Sequence, residues 1–457
     1  MGSNEGIGAS PTASGVRDRD VPDGRRAYRR IFEFGDGIAS AVDPFGIAAP
    51  IMHAQFAWML HPQELGERLA RLSSDLIELQ WHTGKRMLGL PSADPVSPVA
   101  DDARFVDPVW TASPTWDLVK EWYLAFTRHA QDMLYDTPGL SGRQRRRAAF
   151  WWRKWLNAAA PTKFLWSNPV AIRKAVETRG ESLSRGLHNF LGDYHAGSVR
   201  MTDPEDFEVG RNLATTPGAV VFRNRLLEVL HYAPTRSSVH AEAMVIVTPW
   251  INKFYVLDLT ERKSMVRFLF DQGLDVFITS WRNPDASMRE VRFDDYLTEG
   301  IDATVRTTCR MSGARHVHAV GYCIGGTALA MYAAWANRHF AAEAVPVGTC
   351  TFLTTLTDFH KPGDIDVLID EGSIRYLCGH MQRSGFLGGK EMVASFRLLR
   401  SHSLIWHCVV HGWLYGEAPP PFDVLVWNMD VTRMPQAMHA WNLTESICTA
   451  AWSSPVC

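Results

Sequence analysis

The stretch "HVHAVGYCIGGTALAMYAAW", residues 316–335, holds the residue types and spacing in this chain that are best suited to chemistry. Cys323 lies between Gly321 and Gly325, after an apolar run and before an alanine-rich segment. A Gly-x-nucleophile-x-Gly pattern at a strand-to-helix turn presents its central side chain for attack on a carbonyl carbon. The spacing therefore predicts a nucleophilic thiol at Cys323. The alternative is a buried cysteine in a glycine-rich turn.

The backbone around Cys323 also has a predicted role. The positive end of the helix expected after the turn favours the thiolate, although such a dipole contributes only about 0.3–1 kcal/mol. A basic partner is therefore still needed. The N–H of Ile324 is expected to face a developing oxyanion, and Ile251, in the loop after the apolar run "AMVIV", is expected to supply the second N–H. The neighbouring Trp250 is equally well interpreted as a core aromatic.

Short β-branched runs alternate with helical patterns beyond residue 241. They are "AMVIV" (243–247), "DVFIT" (275–279) and "HVHAV" (316–320). This alternation is typical of a parallel sheet with helices on both faces. Together with the turn at Cys323 it predicts an α/β protein with an α/β-hydrolase fold. Irregular periodicity over about 354–420 predicts a cap inserted over the sheet.

The chain before residue 241 has a different character. Residues 1–25 are rich in Gly, Ser, Asp and Arg, which predicts a disordered tail, and 26–240 is predicted to be a mostly helical region. Within it, 62–88 spaces its leucines by three and four residues, as an amphipathic helix does. The basic and aromatic stretch "RQRRRAAFWWRKW" (143–155) is interpreted as a helix with its aromatic residues on one side and most arginines in solvent, rather than as a nucleic-acid site.

Composition excludes several classes of function. The net charge of −2 predicts no general attraction to nucleic acid or to an anionic membrane, and no apolar stretch is long enough to predict a transmembrane segment. A secretory signal pattern is not found, so we expect a cytoplasmic protein. The seven cysteines form no Cys-x-x-Cys pair, and no disulfide framework, metal site or cofactor is expected.

Seven segments together resemble the polyhydroxyalkanoate synthase family, the poly(3-hydroxybutyrate) polymerases, and most closely its class I members. The resemblance covers about residues 100–441, and the seven segments stand in the family's order. They are "KFLWSNPVAIRKAVETRGESLSRGLHNFLGD", "MTDPEDFEVGRNLATTPGAVVFRN", "TPWINKFYVLDL", "SWRNPDASMR", "GYCIGGT", "LTTLTDFHKPGDIDVLIDEG" and "PFDVLVWNMDVTRMP".

The resemblance implies an acyltransferase that polymerises (R)-3-hydroxyacyl-CoA and releases CoA at the surface of an intracellular polyester granule. Cys323 aligns with the family's catalytic nucleophile. Exchange of the CoA thioester for a thioester on Cys323 is nearly balanced in energy, and a hydroxyl group can then attack the acyl-enzyme. The family also suggests a homodimer, and it uses a histidine as general base with an aspartate beside it.

The resemblance ends at Trp441. The family's Asp-His-Ile and Gly-His motifs are expected after this point, but "NLTESICTAAWSSPVC" (442–457) has no resemblance to it. We therefore expect a catalytic domain over 241–441 that is incomplete at its C-terminal end, a tail at 442–457 outside the family pattern, and little or no polymerase activity. The remaining histidines match no catalytic position; they include His360, His402, His407, His411 and His439.

Two other functions remain open. One is a catalytically dead protein that associates with granules or dimerises through the helical region and the cap. The other is thioesterase or lipase-like hydrolysis on the same fold.

Overall fold

The structure is a computed structural model, and it describes residues 48–96, 102–232, 234, 236, 238–360 and 362–448. The tail predicted at 1–25 lies outside the described residues. Of the segment 442–457, residues 442–448 are described.

A six-stranded mixed sheet forms the centre of the molecule, with strand order β1-β2-β4-β3-β5-β6. Its strands are β1 Ala219–Arg223, β2 Leu227–Tyr232, β3 Met244–Val247, β4 Val276–Trp281, β5 Val317–Tyr322 and β6 Val347–Leu353. Strands β3 to β6 are parallel, whereas β1 and β2 pair antiparallel. The three strands predicted from β-branched runs are confirmed as β3, β4 and β5.

The central strands are apolar on both faces because helices cover both sides of the sheet. In β3, Val245 and Val247 belong to the core cluster on one face and Ile246 to the cluster on the other, and all three are fully buried. At one edge of the sheet, β6 pairs with β5 and with no other described strand, and Phe352 on it is 42% exposed.

The sheet begins before the predicted helical region ends. Strands β1 and β2 lie within 26–240 and form a hairpin whose turn is closed by Asn224. The Asn224 side chain accepts hydrogen bonds from the N–H groups of Leu226 (2.8 Å) and Leu227 (3.0 Å). The alternating residues of "AVVFR" and "LEVLHY" were the available signal for this hairpin.

The N-terminal region is otherwise helical. Its helices are α1 Ala48–Met59, α2 Pro62–Met87, α3 Val109–Ala112, α4 Pro114–Tyr135, α5 Gly142–Ala158, α6 Pro169–Glu177 and α7 Glu181–Ala196. Helix α2 confirms the helix predicted from leucine spacing. Among the described residues, none of the helices combines the length and apolar character needed to cross a membrane.

Further helices follow within and after the sheet. They are α8 Met265–Asp271, α9 Phe293–Asp295, α10 Ala303–Ser312, α11 Ile324–His339, α12 Glu371–Ser384, α13 Gly389–Leu399, α14 His407–Val409, α15 Asp423–Met429 and α16 Gln436–Trp441. π-Helical turns span Tyr296–Asp302, His402–Trp406, Val410–Leu414 and Asn442–Cys448. A small sheet pairs β7 Phe386–Leu387 with β8 Met434–Pro435.

The segment predicted as a cap, 354–420, packs against the N-terminal helices. Asn189 of α7 donates a hydrogen bond to the Gly412 carbonyl (2.9 Å), and Arg143 of α5 donates to the Ile369 carbonyl (2.7 Å). The division into a helical region, a catalytic domain and a cap stays a prediction.

Helix α5 confirms that Arg143, Arg146 and Arg153 are exposed, and it corrects the expectation for Trp155 and Arg147. Phe150 and Trp151 are buried as predicted, but Trp155 is 61% exposed. Arg147 is buried and pairs with Asp370, while Arg146 pairs with Asp366 at 3.1 Å. These arginines bind carboxylates from the segment after β6, which lies more than 200 residues away in the chain and so could not be foreseen from α5 alone.

Candidate active site

Cys323 occupies a sharp turn between β5 and α11. Its φ is 54° and its ψ is −129°, a backbone conformation that a non-glycine residue adopts only when the surrounding structure enforces it. The Cys323 N–H donates to the Leu353 carbonyl (2.9 Å), and the Cys323 carbonyl accepts from the Gly326 N–H (3.0 Å). The predicted strand-to-helix turn at this cysteine is therefore confirmed.

Each glycine around Cys323 lies where a side chain would collide with neighbouring atoms. A Cβ on Gly321 would lie 2.3 Å from the Gly326 Cα, and one on Gly325 would lie 2.5 Å from the Val247 carbonyl oxygen. A Cβ on Gly326 would lie 1.9 Å from the Thr355 Oγ1 atom. The glycine pattern thus brings α11 against the end of β3 and the loop after β6.

The loop after β6 supports this turn, a role that sequence reasoning missed. Thr355 donates a hydrogen bond to the Gly321 carbonyl (3.3 Å), and Thr327 of α11 donates to the Leu356 carbonyl (2.8 Å). No local pattern in the sequence reports these contacts, because they join segments about thirty residues apart across two parallel strands.

Burial has a larger effect on the pKa of the Cys323 thiol than the helix N-terminus has. Burial raises the pKa of Cys323 above its ordinary value of 9.0, and the Ile324 N–H at the sulfur lowers it by less. The helix N-terminus therefore acts in the predicted direction but does not outweigh desolvation. Cys323 holds its proton at neutral pH unless a base removes it.

The two backbone N–H groups predicted as oxyanion donors belong to Ile324 and Ile251. The Ile324 N–H points toward the Cys323 sulfur, at the first residue of α11. Ile251 lies in the loop after β3, and this loop lies beside the turn because Val247 pairs with Gly321. Roles of Ile324 and Ile251 in binding an oxyanion stay predictions.

Trp250 is a core aromatic residue. It is fully buried, and its ring centroid lies 5.3 Å from that of Tyr296 and 5.8 Å from that of Phe293. Two residues before Trp250, Thr248 donates its N–H to Thr279 Oγ1 (2.9 Å) and so anchors the loop to β4.

The described histidines contact groups other than the Cys323 sulfur. His360 lies beside Asp358 (Nδ1 to Oδ1, 2.6 Å), and His411 lies beside Glu417 (Nδ1 to Oε2, 2.5 Å). His439 is buried, and desolvation lowers its pKa to about 4. Among the described residues, none of these three histidines forms a hydrogen bond with Cys323. None of them is therefore placed as its general base.

A cavity of about 570 Å³ lies elsewhere, between α7 and the segment 407–425. Asp193 and Arg200 line it from one side and His407, Cys408 and His411 from the other. Its lining contains no residue of the turn at Cys323.

The sheet order and the nucleophile turn together define an α/β-hydrolase fold, with the nucleophile position directly after β5. A family model described as "alpha/beta hydrolase fold" matches residues 251–373. A second, described as "Poly-beta-hydroxybutyrate polymerase (PhaC) N-terminus", matches residues 101–269 and so covers most of the helical region.

Curated relatives define the family more closely. Poly(3-hydroxyalkanoate) polymerase 2 of Ectopseudomonas oleovorans is 33% identical, over 86% of this chain and 71% of its own length. Poly(3-hydroxyalkanoate) polymerase of Methylorubrum extorquens is 39% identical, and the polymerase subunit PhaC of Cupriavidus necator is 36% identical, each over 84% of this chain. The chain belongs to the poly(3-hydroxyalkanoate) polymerase family. It spans 64% of the length of the latter two relatives.

Proposed function

We propose that this chain is an acyltransferase of polyhydroxyalkanoate synthesis and that Cys323 accepts the acyl group of an (R)-3-hydroxyacyl-CoA. The observation that carries the proposal is a cysteine at the nucleophile turn after β5, with the Ile324 N–H at its sulfur, in a member of this family.

The first step is a balanced thioester exchange. The Cys323 thiolate attacks the acyl carbonyl carbon, the bond from that carbon to the CoA sulfur breaks, and CoA leaves as its thiolate. The N–H groups of Ile324 and Ile251 are the proposed donors to the oxyanion that forms in between. The reaction uses the CoA thioester as a substrate and needs no separate cofactor.

Chain growth requires a second step, in which a hydroxyl group attacks the acyl-enzyme and loses its proton. A general base must take that proton, and the hydrogen bonds of the described histidines do not place one at Cys323. The chain is therefore proposed to accept one acyl group on Cys323 and to turn over slowly or not at all.

The setting of the reaction follows from the same family relationship. The names of the relatives support a polyester product. As the family resemblance suggests, we propose a cytoplasmic protein that acts as a homodimer at the surface of a granule, and the net charge of −2 predicts no nucleic-acid partner. A catalytically dead, granule-associated protein and a thioesterase are the two competing proposals.

The experiment incubates the chain with (R)-3-hydroxybutyryl-CoA, measures free CoA chromatographically and locates acyl adducts by peptide mass spectrometry. We expect up to about one CoA per chain and an adduct on Cys323, formed slowly and faster as the pH rises, because only the small fraction of Cys323 that is thiolate reacts. Replacement Cys323→Ala should abolish both signals. The control Cys350→Ala removes a half-buried thiol from the adjacent strand β6 and should change neither.

The other outcomes separate the competing functions. Continuing CoA release with polymer would show full polymerase activity, against the slow turnover proposed here. Continuing release without polymer would indicate a hydrolase. Neither CoA nor an adduct would overturn acylation and favour the catalytically dead protein.

A further inference from the structure

Helices α2 and α4 enclose four side chains of the kinds that bind metal ions, far in the chain from Cys323. They are His82 on α2, Asp94 in the loop after α2, and Asp117 and Glu121 on α4, which we call the His82 cluster. One candidate ligand atom from each lies within 4.8 Å of every other. Asp117 and Glu121 share one face of α4 because they are four residues apart.

The distances from His82 to the three carboxylates are close to those between ligands around a tetrahedral ion. The His82 Nε2 atom lies 3.3 Å from an Asp117 oxygen, 3.7 Å from a Glu121 oxygen and 3.9 Å from an Asp94 oxygen. Ligands held at zinc–nitrogen and zinc–oxygen distances in a tetrahedron lie about 3.3–3.6 Å apart. Small side-chain movements would therefore complete such a site.

Glu121 is an independent indication that the cluster can bind a cation. Its side chain is fully buried, and among the described residues neither carboxylate oxygen has a hydrogen-bond partner. One of these oxygens points into the cluster, toward His82. A buried carboxylate without hydrogen bonds is costly unless a cation compensates it.

The remaining contacts of the cluster are made by Ser92, Lys120 and Arg86. The His82 Nδ1 atom lies 2.9 Å from Ser92 Oγ, an arrangement that leaves Nε2 free to face the carboxylates. Lys120 lies 2.7 Å from the second oxygen of Asp117 and 3.8 Å from the second oxygen of Asp94. Arg86 contacts the Asp117 oxygen that also faces His82.

These two cations form their ion pairs with the aspartates and not with Glu121. Among the described residues, no Lys or Arg side chain pairs with both the Glu121 carboxylate and His82 Nε2, which lie 3.7 Å apart. A metal ion would bind both at once.

We propose that the His82 cluster binds one divalent transition-metal cation, for which the imidazole ligand and the His82 distances favour Zn²⁺. The ion joins α2, the loop at Asp94 and α4, and so stabilises the helical region rather than taking part in acyl transfer. It enters beside Asp94, whose side chain is 38% exposed while those of His82 and Asp117 are almost fully buried.

The experiment strips the full chain with a chelator, dialyses it and titrates it with Zn²⁺ by calorimetry, then measures the melting temperature with and without the ion. We expect one tight site and a higher melting temperature with Zn²⁺, because an ion that binds only the folded state stabilises it. Glu121→Gln, which keeps the shape and removes the charge, should weaken that site by at least about tenfold. His82→Gln should do the same.

The matched control is His129→Gln. The His129 Nε2 atom lies 2.7 Å from an Asp75 oxygen where the same two helices pack, but outside the His82 cluster. This variant should bind Zn²⁺ like the unmodified chain. Should His82→Gln fail to fold, Glu121→Gln still tests the proposal, because it removes a buried charge and the apo chain should keep its helical content.

Cobalt distinguishes this site from the cysteines. Co²⁺ bound by nitrogen and oxygen ligands gives visible d–d absorption without the sulfur-to-metal charge-transfer band of a cysteine site. Absence of a stoichiometric site, equal binding by all three variants, or a thiolate band in the bound form would overturn the proposal and leave the cluster as a buried ion-pair network.

Discussion

At the scale of single residues, Cys323 combines a strained backbone with an unactivated thiol. Its positive φ holds the side chain at the turn, while burial raises its pKa and the Ile324 N–H recovers only part of that shift. A helix N-terminus alone is worth too little to produce a thiolate at neutral pH. Reactivity at this position therefore depends on a base.

The pH dependence of alkylation tests this conclusion. The rate of carbamidomethylation of Cys323, followed by peptide mass spectrometry, should rise about tenfold per unit between about pH 7 and pH 9, because only the thiolate reacts. No plateau is expected below the ordinary pKa of 9.0, since the folded pKa lies above it. A peptide with the sequence "GYCIGGT" is the control. A plateau near neutral pH would reveal a base or cation at the sulfur.

At the scale of elements, the site depends on how closely α11 approaches its neighbours. Gly325 contacts the backbone at the end of β3, and Gly326 contacts Thr355 in the loop after β6. The helix can therefore aim its first N–H groups at Cys323 only while these positions lack side chains.

The substitution Gly326→Ala tests this packing. The added Cβ would lie 1.9 Å from Thr355 Oγ1, so we expect the free energy of unfolding to fall by about 1–3 kcal/mol, as in other overpacked sites. Cys323 acylation should fall with it. Urea denaturation measures the stability change, and mass spectrometry measures the acylation.

The control for this helix substitution is Gly66→Ala. Gly66 lies exposed within α2, and a Cβ there would meet nothing within 4 Å. We expect a gain of up to about 1 kcal/mol from helix propensity. If Gly326→Ala behaved like Gly66→Ala, the close approach of α11 to Thr355 would not limit stability.

At the scale of the whole molecule, ion pairs join the helical region to the segment after the sheet. Arg147 of α5 reaches Asp370, which also caps α12 through the Ser373 N–H. Burial alone would raise the pKa of Asp370, but the Ser373 N–H and Arg147 lower it below its ordinary value.

Replacement Arg147→Met tests this junction. The variant should lose about 1–3 kcal/mol of unfolding free energy, because it leaves the half-buried Asp370 carboxylate with fewer partners. The control is Arg146→Met, which removes an exposed ion pair with Asp366 and should cost at most about 1 kcal/mol. Equal losses in the two variants would contradict a special role for Arg147.

The pH dependence of this loss has a definite sign. A carboxyl group whose pKa is lowered by folding stabilises the protein above its unfolded pKa, and this contribution disappears as the pH falls through the folded value. The stability difference between the unmodified chain and Arg147→Met should therefore shrink as the pH falls below 3.8. Denaturation midpoints measured across this range check it.

Features that depend on neighbouring residues could be predicted from the sequence. The turn at Cys323, helix α2 and strands β3, β4 and β5 follow from glycine spacing and from hydrophobic periods that are local in the chain. The alternating residues of β1 and β2 also indicate strands. They were assigned to the helical region because most of the chain before them has a helical pattern.

Features that join distant segments became visible in the folded chain. Thr355 reaches Gly321 across the sheet, Arg147 reaches Asp370, and His82 meets Glu121 between two helices. The raised pKa of Cys323 belongs with them, because desolvation is set by everything that packs around the sulfur. Contacts and burial of this kind arise when separate elements fold together, so no local spacing of residues reports them.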